Sequence, residues 1–516
     1  MSAFKVSKKR WIIICIYGLM NMANSQMWVS FSPISDLTTD FFDHTTGQTG
    51  TNMLALVFSI FYLPGSIISA LNTKRFSIRV ALLISGMFTT LGAVLRVIGV
   101  ALKDQLGAKF AYSMTIIGQI LASLAQPFFM NIPAALASTW FDISERDLAT
   151  AAASMCNPLG NAIGQLLPPF FVYKNDNVDD DENASVSGML LLMIAQFSWS
   201  VLALIISYMF FDAAPEHPPS VSTLMKHGHD INSSTNGSSN LSRALTIDKT
   251  ISFKSVLGLE NDASLREDLL SLKEKDLSQS QHDEREDSIV RGDYDDIMSS
   301  YYALNEEIKR LFSIRDYRIL FFAISLGLGT FNTLIALLNQ LVEDFGYSND
   351  DAGNFGALLI GFGIVSAGVT GYILDVTHMY KESLKICFIG GCLSMLFWLS
   401  SIYHNNGTVL CIASAIMGSL VVPLIPIVTE CTAEVTYPVS EDISVGILLV
   451  GGNYVGVILT LVAQWLINEP AFGPPPFFPS SIFLFVALLL SSLSVMFFEG
   501  DYKRLKVDQV SMLPSD

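Results

Sequence analysis

Amide side chains interrupt several long apolar stretches of the chain, and they are residue types well suited to bind a polar ligand. Asn157, Asn161 and Gln165 recur at every fourth position, so they share one face of a helix. A polar stripe on an apolar helix faces protein or water rather than lipid. Asn157 and Asn161 are therefore predicted to contact a bound solute.

One tryptophan lies well inside the first apolar stretch. Trp28 has Gln26, Asn24 and Ser32 nearby, whereas tryptophan is more common at membrane interfaces than at mid-depth. Packing in the protein core and a wall that faces a solute explain Trp28 equally well. We predict that Trp28 and Gln26 contact a bound solute.

The second half of the chain has its own polar positions inside apolar stretches. Asn332 and Asn339 lie in one stretch, where hydrogen bonds between helices, worth about 0.6 kcal/mol each, are the alternative to lining a pocket. Asn453 and Tyr454 are the better candidates for direct contact with a solute. The glycines around them favour close helix packing first and a hinge second: Gly446, Gly451, Gly452 and Gly456.

A few residues have the chemistry of conformational or proton-linked positions. Pro158 removes a backbone donor and should kink its helix, either as part of a gate or as a tolerated bend. Glu430 and Glu434 lie near one end of an apolar stretch, and Glu430 is a modest candidate for a carboxylate that exchanges a proton. Arg96 is expected to extend its charged group towards the membrane surface.

The sequence carries no pattern of a known catalytic centre. It has no P-loop, no HExxH metal motif and no CxxC pair, so we expect neither an enzyme nor a bound metal or cofactor. The formal net charge of −17 argues against nucleic acid as a partner, because phosphate binding needs basic clusters.

The composition indicates an all-α membrane protein. Hydrophobic residues make up 51% of the 516 residues and charged residues only 15%, against about 25% in soluble domains. The apolar stretches exceed about 18 residues, which suits membrane-spanning helices rather than barrel strands. Twelve spans are predicted, at 11–35, 52–72, 79–101, 110–139, 146–173, 188–211, 316–343, 352–374, 384–403, 408–432, 442–468 and 478–498.

A long polar break after the sixth span sets the predicted domain organisation. The segment 213–310 is acidic and rich in Ser and Asn, so we expect it to be largely disordered. Short amphipathic helices near 262–276 and 297–312 are candidates, and the segment is a candidate surface for cytosolic partners. The predicted regions are an N-terminus (1–10), a six-helix half (11–212), the loop (213–310), a second six-helix half (311–498) and a tail (499–516).

The distribution of Lys and Arg predicts the orientation. Short loops on the side of the termini hold most of these residues, and the other side has only Lys103, Lys109 and Lys174. Both termini and the central loop are therefore predicted to be cytoplasmic. The sequons at Asn183 and Asn406 then fall on the outer or lumenal side as predicted glycosylation sites. The plasma membrane and a vacuolar or lysosomal membrane both fit.

Several motifs follow one another in a specific order along nearly every span. They include Asn24-Ser-Gln-Met-Trp28, Ala125-Gln126-Pro127, Asn157-Pro158-Leu-Gly160, Leu337-Leu-Asn339-Gln340 and Glu434-Val-Thr-Tyr437-Pro438. Together they resemble the feline leukaemia virus subgroup C receptor family, solute carrier family 49, and most of all its less characterised third member. The resemblance implies the major facilitator superfamily fold, in which two six-helix halves pack about an axis normal to the membrane.

The resemblance also implies roles for particular residues. The family's choline transporters are thought to hold a quaternary ammonium in an aromatic cage, and a cation over an indole face gains about 0.5–2 kcal/mol. Trp28 matches one wall, but Asn332 stands where that group has Tyr, and Pro158 and Asn453 stand where it has Gln. This predicts a polar, amide-lined pocket. Asp375 matches the superfamily's charge motif, which latches helix ends together.

We therefore expect a secondary transporter that moves a small polar or cationic organic solute by alternating access. Facilitated movement is favoured over proton coupling, because Glu430 is the only modest candidate for a coupling carboxylate. The alternative is a non-transporting membrane receptor or scaffold on a carrier fold, which acts through its acidic central loop. The expected partners are a small-molecule solute and the lipid bilayer.

Overall fold

The computed structural model describes the residues that build the helical body of the protein. These are residues 8–42, 47–73, 77–142, 145–174, 186–215, 305–377, 379–402, 406–436, 439, 441–468, 479–500 and 502. Lys8–Pro215 and Glu307–Asp516 together form one compact unit. The predicted loop 213–310 lies outside the described residues except at its two ends.

The described chain is helical apart from its connections and one short hairpin. The hairpin pairs β1 (Tyr173–Lys174) with β2 (Val186–Ser187) in antiparallel fashion. The helices are α1 (Arg10–Val29), α2 (Ser35–Phe41), α3 (Gly47–Thr73), α4 (Ile78–Ala101), α5 (Lys103–Leu106), α6 (Ala108–Trp140), α7 (Arg146–Ser154), α8 (Cys156–Phe171), α9 (Met189–Phe210), α10 (305–313), α11 (Arg315–Glu343), α12 (Asn349–Thr377), α13 (Tyr380–Ile402), α14 (Gly407–Val421), α15 (Leu424–Thr436), α16 (Glu441–Asn468) and α17 (Pro479–Val495).

These helices make the twelve predicted membrane crossings. Ten stretches of the described chain are long and apolar enough to cross a bilayer, with α14 and α15 counted as one. The other two crossings are α7 with α8, which are separated at Met155, and α17, an apolar helix of 17 residues. Spans 1 to 12 are, in order, α1, α3, α4, α6, α7 with α8, α9, α11, α12, α13, α14 with α15, α16 and α17.

We call the two ends of the helix bundle the terminal end and the distal end. The terminal end holds the start of span 1 and the segment after span 12, and the distal end holds the connections from span 1 to span 2 and from span 7 to span 8. All odd-numbered spans therefore run from the terminal to the distal end. The ion pairs Arg10–Glu145 (2.9 Å) and Arg315–Glu499 (2.5 Å) lie at the terminal end, each within one half.

The first span ends earlier than predicted. Its helix stops at Val29 rather than Ser35, and residues 30–34 continue as buried turns. Pro33 disfavours helical geometry in the residue before it, and the Ser30 hydroxyl donates back to the Met27 carbonyl (3.1 Å). The span is therefore extended by non-helical backbone, which is tolerated in a membrane where it is buried in protein.

Two spans are interrupted next to a proline. In span 5 the helix breaks at Met155, and Pro158 lies in the first turn of α8, where a missing N–H costs least. In span 10 the break precedes Leu424, because Pro423 cannot donate to the Ser419 carbonyl. That carbonyl instead accepts the Ser366 hydroxyl of span 8 at 2.6 Å.

Glycines bring several pairs of spans into close contact. A Cβ on Gly92 of span 3 would lie 2.5 Å from the Gly118 carbonyl of span 4, and one on Gly418 of span 10 would meet the Leu359 carbonyl of span 8. In span 11, the predicted close packing holds for Gly451, Gly452 and Gly456, whereas a Cβ on Gly446 would meet nothing within 4 Å. Small residues thus let the backbones of neighbouring helices pack closely, which matters in lipid because the hydrophobic effect does not drive helices together there.

The interpretation of Arg96 as a side chain that reaches the membrane surface is wrong. Its side chain is buried within the first half, at 1% exposure. One guanidinium nitrogen donates to the Ser30 hydroxyl at 3.0 Å, and the group lies 4.9 Å from the Phe31 ring centroid. Arg96 is directed at the C-terminal end of α1, where unpaired carbonyls favour a cation.

Candidate functional site

Hydrogen bonds join the two halves at the distal end. The Ser32 hydroxyl, just after α1, contacts the carbonyls of Ile335 (2.6 Å) and Ala336 (2.9 Å) in span 7. The amide nitrogen of Gln165 in span 5 also donates to the Ile335 carbonyl, at 3.3 Å. Three elements of the protein thus meet at one turn of span 7.

Side-chain pairs extend this contact further along the distal end. Asn52 of span 2 and Gln340 of span 7 exchange hydrogen bonds in both directions, at 3.1 and 2.7 Å. Asn339 donates to the Ser35 hydroxyl (3.2 Å), and Asn349 donates to Asp36 (3.2 Å). The distal closure is the set formed by Ser32, Ser35, Asp36, Asn52 and Gln165 on one half and Ile335, Ala336, Asn339, Gln340 and Asn349 on the other.

Span 8 has a glycine slot for Gln165. A Cβ on Gly353 would lie 2.8 Å from the Gln165 carbonyl, and one on Gly356 would lie 3.0 Å from the side-chain amide carbon. A larger residue at position 353 would meet the backbone of span 5 and push it away, whereas one at position 356 would displace the Gln165 side chain. The slot therefore lets a helix of one half pack directly on a helix of the other.

Three predicted binding residues lie immediately beneath the distal closure. Trp28 precedes Ser32 by one turn's length, Asn161 precedes Gln165 by one turn, and Asn332 precedes Ile335 and Ala336 by one turn. One helical turn is about 5.4 Å, and all three spans run in the same direction. Spans 1, 5 and 7 thus bring Trp28, Asn161 and Asn332 to a similar depth.

These three residues are buried but not fully enclosed. Trp28, Asn161 and Asn332 are 8%, 7% and 9% exposed. Trp28 belongs to one buried cluster that also contains Ala162 of span 5 and Ile335 of span 7. An indole and two neutral amides, contributed by both halves, therefore lie at a similar depth, and such groups can line a site for a small polar molecule.

Several amide atoms in this region have no hydrogen-bond partner among the described residues. Both side-chain amide atoms of Gln26 and the amide oxygens of Asn161 and Gln165 are buried without one. An unsatisfied buried polar group costs about 1–3 kcal/mol. The cost is removed if a polar solute or water binds them.

The remaining predicted binding residues make contacts of their own. The amide nitrogen of Asn157 donates to Asn21 (3.3 Å), in a network that continues to Tyr17. Asn339 lies in the distal closure, two turns beyond Asn332. Asn453 donates to the Leu449 carbonyl of its own helix (2.9 Å), and Tyr454, 37% exposed, donates to the Ile60 carbonyl of span 2 (3.1 Å).

Four of the predicted conformational and glycosylation residues lie nearer the ends of the bundle: Asp375, Glu430, Glu434 and Asn406. Asp375 belongs to the last turns of span 8, and Glu430 and Glu434 belong to α15, the terminal part of span 10. Glu434 is 4% exposed and Glu430 is half-buried. Asn406 is exposed at the distal end and caps span 10, its side-chain oxygen accepting from the Val409 N–H (3.4 Å). Asn183 lies outside the described residues.

Sequence reasoning missed part of the distal closure and the glycine slot beside it. Asn52, Gly353 and Gly356 were not singled out, and Gln165 was noted only as the end of a polar stripe. Asn52 is one polar residue near the end of a span, so its pairing with Gln340 is invisible without the packing of the two halves. The spacing of Gly353 and Gly356 was the available signal, since it exposes one helix face to close approach.

Comparison with known proteins supports the same architecture. The family model of the Major Facilitator Superfamily matches residues 13–436. The chain therefore belongs to the major facilitator superfamily, whose members are secondary transporters built from two six-helix halves. The fold is similar to that of the xylose transporter XylE from E. coli in a partially occluded inward open conformation, with a TM-score of 0.60 and 11% identity over 96% of this chain and 98% of that one.

Individual relatives agree with membership of solute carrier family 49. The chain is 26% identical to the choline/ethanolamine transporter FLVCR2 of Homo sapiens, over 99% of this chain and 81% of the relative. It is also 26% identical to solute carrier family 49 member A3 of Xenopus tropicalis, over 97% of this chain and 89% of the relative. Because these identities are equal, the particular likeness to the third member stays a prediction.

Proposed function

We propose that this chain carries a small polar or cationic organic solute across the membrane by facilitated, alternating access. The observation that carries the proposal is the position of Trp28, Asn161 and Asn332, which come from both halves and lie directly beneath the distal closure. A site between two halves that close over it at one end is the arrangement that alternating access requires. Gln26, Asn157, Asn453 and Tyr454 complete the proposed lining.

The chemistry of the lining supports a neutral or cationic solute. Trp28 can bind a cation through its ring face, and the amides can both donate and accept hydrogen bonds. FLVCR2, a relative by sequence, is named as a choline/ethanolamine transporter, so small amino alcohols are the first solutes to test. Asn332 in place of an aromatic wall argues for a more polar ligand than choline.

The placement of carboxylates supports movement without a coupled proton. In the described chain, Glu430 is the acidic residue that lies within a membrane span rather than in its first or last turn, and Glu434 lies in the last turn of the same span, so that both are in the terminal part of span 10. Neither is at the depth of Trp28. We infer that they, with Pro158 and Asp375, act in the conformational change, and that Asn339 acts in the distal closure.

The charge distribution supports an orientation with the terminal end in the cytoplasm. The exposed Asn406 and the sequon at Asn183 are then proposed glycosylation sites on the outer or lumenal side. The distal closure would seal the carrier on that side. The plasma membrane and a lysosomal or vacuolar membrane both fit this orientation.

Uptake of a labelled metabolite panel by vesicles that contain the full-length protein tests the proposal. Trp28→Ala should lower uptake of the transported solute roughly 5–30-fold at low concentration, since about 1–2 kcal/mol of ring contact is lost. Trp465→Ala is the matched control, because Trp465 is 57% exposed on span 11. If no solute moves while the central segment binds a cytosolic partner, the receptor or scaffold alternative replaces the carrier.

A further inference from the structure

One carboxylate crosses the boundary between the halves in the distal closure. Asp36 begins α2, the short helix between spans 1 and 2, and its Oδ2 accepts from the Asn349 amide at 3.2 Å. Asn349 is the first residue of span 8, in the other half. The second oxygen, Oδ1, is buried without a hydrogen-bond partner in the described structure. An ionised Asp36 is therefore poorly solvated when the halves are together.

The groups around Asp36 are mainly acidic. Asp40 follows one turn later on α2, and Glu343 at the end of span 7 interacts electrostatically with Asp36, Asp40 and Asp344. On the basic side, the Lys103 amine lies 4.5 Å from the Phe41 ring centroid. At the start of span 8, Asp351 is held by Ser348 through the N–H (3.0 Å) and the hydroxyl (2.8 Å), and Asp350 is exposed next to Asn349.

Burial raises the pKa of Asp36 above its ordinary value, and repulsion from Asp40 adds to the rise. The hydrogen bonds that Asp36 accepts, one of them from Asn349, oppose it. Separation of the halves would break the Asn349 contact and hydrate the carboxylate, which returns its pKa towards the ordinary range. The closed arrangement thus binds the Asp36 proton more tightly than the open one.

We propose that Asp36 is a proton-sensitive latch, which favours the distal closure when the medium at that end is acidic and weakens it when the carboxyl ionises. The sign follows from linkage: the state that binds more protons is stabilised as pH falls. The ratio of molecules with the distal closure formed to those with it open rises as pH falls through the pKa that Asp36 has in the closed state. Above that pKa the carboxyl is ionised, and Asp36 no longer favours the closed state. The proposal concerns the closure and does not depend on which solute is carried.

A distance measurement between the two halves tests the latch without any transport assay. Nitroxide labels are placed on exposed distal positions of opposite halves, at Gln105→Cys in α5 and Thr408→Cys in span 10, in full-length protein with the natural cysteines replaced by serine. Between pH 7.5 and pH 5.0 the short-distance population should grow by roughly threefold or more relative to the long one.

Three variants separate a titrating latch from a structural contact. Asp36→Asn should keep the acid-like population at every pH, while Asp36→Glu should restore the pH dependence. Asn349→Ala removes a hydrogen bond that lowers the pKa and should move the transition to higher pH. Asp40→Asn, on the same helix, is the control and should leave a clear transition. A pH-independent wild type, or an unchanged transition in Asp36→Asn, overturns the proposal.

Discussion

Replacing Gln340 with leucine tests how much the amide pair with Asn52 contributes to the distal closure. Both residues are buried, at 3% and 5% exposure, and they exchange two hydrogen bonds across the halves. Each bond contributes about 0.5–1.5 kcal/mol, and membrane helix bonds average about 0.6 kcal/mol. The loss of both is therefore about 1–3 kcal/mol, which lowers the closed-to-open ratio about 5–150-fold.

The distance pair at Gln105 and Thr408 measures this ratio directly. Gln340→Leu and Asn52→Leu should each shift the population towards the long distance. The double variant should shift the population towards the long distance no further than either single variant does. The reason is that neither amide is then left unpaired between the halves. Simple addition of the two single effects would refute the inference that these residues act as a pair in the closed state.

Two further predictions concern packing and orientation. Gly418→Ala should lower thermal stability by about 1–3 kcal/mol, because its Cβ would overlap the Leu359 carbonyl, whereas Gly361→Ala, whose Cβ meets nothing within 4 Å, should be neutral or stabilising. Unfolding of the purified variants checks both, and equal effects would contradict the packing account. Asn406→Gln should remove a glycan visible as a shift in gel mobility in a eukaryotic host, and its absence from the wild type would contradict the proposed orientation of that loop.

Ten of the crossings are long apolar runs, which hydropathy predicts because this signal is local. The end of span 1 was also readable, since Ser32 precedes Pro33 and the residue before a proline avoids helical geometry. The predicted end at Ser35 followed the apolar run instead. Apolar character continues through residues 30–34 because they are buried, not because they are helical.

The Arg96 side chain is buried by neighbouring helices, although its depth in the membrane would let it reach the interface. A charged residue towards the end of a span commonly reaches the interface. Here Gly118 allows span 4 to pack against the Arg96 stem, and Ser30 with Phe31 covers the guanidinium. These contacts depend on which helices are neighbours, which a single sequence does not specify.

Because a single sequence does not specify which helices are neighbours, it also predicts only part of the distal closure. Asn161 and Gln165 were placed on one helix face by their spacing alone. The hydrogen-bond partners in the distal closure are distant along the chain. Gln165 bonds to Ile335, and Asn52 bonds to Gln340. Only the packing of two separate halves brings these positions together, so the polar residues could be recognised while their pairing could not.

The central claim is that water and solute reach the level of Trp28, Asn161 and Asn332 between the halves. Single cysteines at these positions, in a background without natural cysteines, should react with a water-borne thiol reagent applied at the terminal end. The transported solute should slow the reaction, and a cysteine at the exposed position Ile205 of span 6 should stay unreactive in the bilayer. If all three positions remain unreactive from both sides in every condition, this region is dry packing and the carrier account is contradicted.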